Sequence, residues 1–109
     1  MKPVTLVDAA ATGLDDTVTA LLHVSPTPGW DEIDVAFWSA CRHGHRECAE
    51  ILLRHGAELN RCQPSYDGTP LDAAVQGGAD DIARWLRTLG GAPARNLRPP
   101  EQTYARRTR

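Results

Sequence analysis

The sequence predicts an all-α solenoid of about three helix-turn-helix repeats, followed by a flexible C-terminal tail. Three observations carry this reading. Glycines recur at a fixed interval, Gly44 with Gly78 and Gly56 with Gly90, each pair 34 residues apart. Each unit so marked holds two short apolar segments of helical length, one broken and the other ended by glycine. After residue 92 the apolar pattern gives way to arginine and proline. A fixed period of this size is the signature of a repeat array, in which each unit buries its apolar side by stacking on its neighbours.

The last unit is the clearest: "GTPLDAAVQGGADDIARWLRTLGG". Thr69 suits a helix cap and Pro70 the first helical turn, where its missing N–H is not needed. Gly77-Gly78 breaks this first helix. The spacing predicts a second helix over 79–89, stopped by Gly90-Gly91. The middle unit, "VAFWSACRHGHRECAEILLRHGAELN", repeats the plan with helices over 35–43 and 45–54. Laid on the last unit at the same offset, Leu52 falls on Leu86 and Ala40 on Ala74. A weaker copy lies upstream in "VTLVDAAATGLDDTVTALLHVSP", where Gly13 matches Gly44 at an offset of 31 and Ser25 stands where a closing glycine belongs. The repeats therefore fall at about 4–34, 35–67 and 68–92, with the outer two as caps and the tail over 93–109.

Bulk properties set limits on function. With 109 residues and 41% hydrophobic content, the chain suits one folded domain with a modest core. It contains no run of about 18 apolar residues, so no membrane helix is expected. One lysine followed by Asp8, Asp15 and Asp16 makes a poor signal peptide, and the cytoplasm is the expected location. Three cysteines are an odd count and do not suggest a disulfide scaffold. The tail carries five arginines against Glu101 alone and is +4; the body is −6.

"GTPLDAA" resembles the Thr-Pro-Leu-His-x-Ala opening of the ankyrin repeat family. "GHRECAEILLRHGAELN" resembles that family's glycine-histidine turn, second helix and Gly-Ala-Asp-x-Asn ending. The resemblance covers roughly residues 4–92. It implies a rigid array that binds other proteins and does not catalyse. Two departures matter: Asp72 stands for the motif's histidine, and Val35-Ala36-Phe37-Trp38 replaces the opening of the middle repeat. Histidine-based bonding between repeats is therefore an open expectation, and the turn "RCQPSYDGTP" is expected to be non-standard.

Cys41, His43, His45 and Cys48 place two thiols and two imidazoles, all zinc ligands, within eight residues. Repeat register assigns them elsewhere. Cys41 matches Ala10 and Val75, and Cys48 matches Ile82, so both cysteines read as core. The resemblance makes His45 the turn histidine. A metal or redox module built on these four residues, with His55 and Cys62 as spare ligands, is the minority alternative. Asp15-Asp16 and Asp80-Asp81 begin second helices, where acidic side chains suit the helix dipole better than acid–base work. No phosphate loop or nucleophile–base pattern is present, and neither an enzyme nor a cofactor is expected.

Candidate contact residues come from the aromatics and from the ends of the first helices. Trp30 and Tyr66 fall in turns ahead of the middle and last repeats, and exposed Trp and Tyr are favoured binding anchors. The family geometry adds Arg42, His43 and Gln76, with Trp38 and Asp67 completing one groove; Trp38 suits either this face or packing between repeats. Trp85, matching Ile51, reads as core or cap packing. The expected partner is a protein, engaged by an inhibitor, an immunity-type partner or a complex subunit that is itself a monomer or weak homodimer. Nucleic-acid binding through the tail is the second alternative; against it stand the acidic body and the lack of a recognition element.

Overall fold

The computed structural model describes residues 5–23, 29–61 and 68–93. Tyr66, Asp67, Cys62 and nearly all of the basic tail lie outside them. Among the described residues there are six helices and no strand: α1 (Leu6–Thr12), α2 (Asp15–Leu22), α3 (Trp30–Arg42), α4 (Arg46–Arg54), α5 (Pro70–Gln76) and α6 (Asp80–Thr88). They pair as α1/α2, α3/α4 and α5/α6. α1, α3 and α5 pack side by side as one layer, and α2 and α4 meet behind them. No helix among the described residues is long and apolar enough to cross a membrane.

Local chemistry explains the helix ends. Thr69 caps α5 and Asp72 closes a reciprocal box: the Asp72 N–H donates to Thr69 Oγ1, and the Thr69 N–H donates to Asp72 Oδ2 at 3.1 Å. Asp72, which stands for the family's histidine, thus works within its own repeat. Thr5 caps α1 in the simpler way, accepting from the Asp8 N–H at 3.1 Å. Gly13 ends α1 in the left-handed region, at φ 79°, and a β-carbon there would also meet the His45 ring. Gly77 has an ordinary φ of −82° but faces the Arg42 carbonyl, so only a glycine lets α5 approach α3 this closely.

The core runs through all three repeats. Leu6, Val18, Phe37, Cys41, Cys48, Leu52 and Leu86 are fully buried, with alanines such as Ala9, Ala40 and Ala74 at the close contacts. Bonds between repeats reinforce this packing. The carbonyl of Ala11 can only accept, so His45 Nε2 donates to it, at 3.1 Å across 34 residues. Asn60 donates to the Gly90 carbonyl at 3.2 Å and accepts from the Ala92 N–H at 2.8 Å, and within the last repeat Thr69 Oγ1 donates to the Ala92 carbonyl at 2.7 Å. Inter-repeat hydrogen bonding therefore exists; a turn histidine and an asparagine are among the residues that supply it.

Two expectations need correcting. α3 starts at Trp30, five residues ahead of the expected start at 35. Gly29 sits at its N-cap, and Asp31 and Glu32 occupy the first turn, where carboxylates favour the dipole. Trp30 is therefore in a helix rather than a connecting turn. Val75, matched in register to the fully buried Cys41, is 53% exposed. Cys41 is covered because α5 packs on α3; no described helix packs beyond α5 to cover Val75 in the same way.

Candidate functional site

The C-terminal ends of α3 and α5 lie side by side and bring together four of the expected contact residues. Arg42 lays its guanidinium over the Trp38 ring, with Cζ 5.8 Å from the centroid, and donates to Gln76 Oε1 at 3.2 Å. A cation held against an aromatic face contributes about 0.5–1 kcal/mol near a surface, so Arg42 is oriented before any partner arrives. His43, at the C-cap of α3, is exposed beside it. Gln76 and Val75 are exposed at the end of α5, giving a face with one fixed cation, an imidazole, an amide and an apolar spot.

Trp38 belongs to this site as its floor. It is only 7% exposed, so packing, one of the two roles open to it, is the role it fills. Trp30 is 42% exposed but lies at the other end of α3, about 18 Å away at 1.5 Å per helical residue. The groove expected from the sequence is thus two separated patches on one layer. Near Trp30, Arg61 bridges Asp31 at 3.0 Å and the buried Asp34 at 3.5 Å, and Asp34 Oδ1 accepts from the Glu58 N–H at 2.8 Å. This cluster fastens the loop after α4 to the start of α3.

The turns between paired helices form a second surface that sequence reasoning missed. Arg46 stacks on Trp85, with Cζ 4.9 Å from the ring centroid. Beside them an open depression of about 960 Å³ is lined by Gly44, Gly78, Asp80, Asp81 and Arg84. Trp85 read as core or cap packing; it is half-buried, with Arg46 over its ring. The pairing crosses from α4 to α6, and periodicity within one repeat carries no signal for it.

The four suspected zinc ligands occupy separate places. Cys41 is buried within α3, and that burial pushes its thiol pKa far up. Cys48 is buried and donates from Sγ to Asp15 Oδ1 at 2.8 Å; burial first, then this bond, pushes its thiol up to about 12. The thiolate is the reactive and metal-binding form, and neither thiol reaches it near neutral pH. His45 is committed to Ala11, and His43 is on the exposed end of α3. Among the described residues no group of three or more His, Cys, Asp and Glu side chains could hold a metal ion. Glu47 reaches Asp15 from the next repeat, and that hydrogen bond with the neighbouring negative charge raises its carboxyl pKa. Glu47 is exposed, and the thiol lying against Asp15, that of Cys48, is held protonated.

Comparison with known proteins agrees with this architecture. The family model for ankyrin repeats in three copies matches residues 6–95. Protein phosphatase 1 regulatory subunit 27 from Homo sapiens is 36% identical over 55 residues, covering 50% of this chain and 35% of the relative. The Mus musculus protein of the same name matches to the same extent. The chain spans about a third of the length of these relatives. A match over most of the chain, with helix pairs, turn glycines and inter-repeat bonds in register, makes it a member of the ankyrin repeat family.

Proposed function

We propose that the protein is a non-catalytic binding module of the cytoplasm, which engages a partner protein through the face at the ends of α3 and α5. One observation carries the reading: Arg42 is held between the Trp38 ring and Gln76 with Val75 and His43 exposed beside it. Preorganised arginines next to apolar area are the kind of residue that dominates binding energy at protein interfaces. Trp30, at the start of α3, supplies a second contact on the same layer; Tyr66 and Asp67, also expected to touch the partner, lie beyond the described residues. The module acts as an inhibitor, an immunity-type partner or a subunit of a larger complex. The names of the two relatives favour a regulatory role toward an enzyme, and a protein phosphatase is the first partner to test.

The test is affinity capture followed by titration of the captured protein. Arg42→Ala weakens binding more than tenfold, about 1.4 kcal/mol or more, and Trp30→Ala weakens it less, both with an unchanged helical circular-dichroism spectrum. Full binding by the Arg42→Ala protein would mean that the contact face lies elsewhere.

A further inference from the structure

The C-terminal ends of α2 and α4 carry a pair of histidines that the binding face does not use. His23 is the C-cap of α2 and His55 the C-cap of α4, and both are exposed. Each folds back onto its own helix in the same way. His23 Nδ1 lies 2.9 Å from the Thr19 carbonyl, and His55 Nδ1 lies 2.9 Å from the Ile51 carbonyl. A carbonyl oxygen only accepts, so both Nδ1 atoms carry hydrogen and donate. In the neutral imidazole the proton is then spent, and each Nε2 is left with an open lone pair. The two rings meet across the junction between the first and second repeats, with centroids 5.5 Å apart and planes at 79°.

These are the features of a ligand pair. Histidines that bind metals through one ring nitrogen typically donate the other N–H to a backbone carbonyl or carboxylate, which fixes the tautomer and aims the ring. With metal–nitrogen bonds of about 2.0–2.1 Å, two imidazoles on one ion stand roughly 5 Å apart between centroids. Both rings also sit at helix C-termini, where the backbone's partial negative charge favours a cation.

We infer that His23 and His55 form a two-histidine site for a divalent transition-metal ion, bridging α2 and α4 through their Nε2 atoms. Imidazole suits copper, nickel and zinc, and affinity for such a site rises toward Cu²⁺. With two protein ligands the remaining positions belong to water, so the site is weak, open and unsuited to Mg²⁺ or Ca²⁺, which prefer oxygen. An ion held there ties the first repeat to the second and stabilises the stack by mass action.

The test uses the full chain, freed of metal by a chelator and then melted with added Cu²⁺, Ni²⁺, Zn²⁺ or Mg²⁺. The midpoint rises by several degrees with Cu²⁺, less with Ni²⁺ and Zn²⁺, and not with Mg²⁺. His23→Ala and His55→Ala each abolish the rise, and their metal-free melts show that both variants fold. Electron paramagnetic resonance of the Cu²⁺ form shows two nitrogen ligands, reduced to one or none in either variant. Absence of both signals in the unsubstituted protein, or a rise that survives either substitution, would overturn the site. Neither outcome bears on the binding face, which shares no residue with it.

Discussion

Alanine at position 37 destabilises the protein by about 3–5 kcal/mol, the range for removing a buried phenylalanine from a packed core. Phe37 is fully buried on α3, the helix that packs on α1, α4 and α5 at once. In a repeat array stability is a sum of unit terms and neighbour interfaces, and a void in the middle unit weakens both interfaces together. Domains of this size have only about 5–15 kcal/mol in total. For such a domain each kcal/mol lowers the melting midpoint by about 4–8 °C. The Phe37→Ala melt, followed by circular dichroism, therefore falls by more than about 12 °C. Val75→Ala, on the exposed end of the stack, moves it little.

Asp34→Ala is expected to have the next largest effect, for an electrostatic reason. Asp34 is 2% exposed, accepts from the Glu58 N–H and faces the Arg61 guanidinium. Arg61 is partly exposed and keeps Asp31 at 3.0 Å, so the loss is that of a buried, charge-assisted acceptor, about 1.5–3 kcal/mol. Alanine also strips the Glu58 N–H of this acceptor. Asp34→Asn keeps an acceptor for that N–H while losing the charge, so its cost is smaller. Urea denaturation of the two variants separates the contributions. Equal losses would mean that the charge pairing with Arg61 carries nearly the whole effect.

These two residues mark where the sequence was legible and where it was not. Phe37 lies in a repeat register shared with Leu71, and a period of 34 with glycine stops sufficed to place it in a core helix. The same register reappears as geometry in the Arg42–Gln76 and His45–Ala11 bonds, each across 34 residues. Asp34 had no such signal. Its counterpart at that offset is Gly68, which has no side chain, and its role depends on Glu58 and Arg61, brought to it by the fold. The early start of α3 escaped notice because the motif that opens the last repeat is replaced in the middle one. Val75 differs from its register partner Cys41 because no described helix packs on the outer side of the last unit. Arg42 and Gln76 were legible as neighbours because they share one position along successive first helices, and His43 follows Arg42 directly. Trp38 was ambiguous because burial between layers is a property of the stack.

A partner protein bound as proposed sits at the ends of α3 and α5. Photo-crosslinking tests this placement most directly, with a photoreactive residue placed in the full chain at His43, at Gln76, or at Thr88 on α6. One discrete crosslinked protein is expected from positions 43 and 76 and none from position 88. Crosslinking from position 88 alone, or from none of the three, would contradict it.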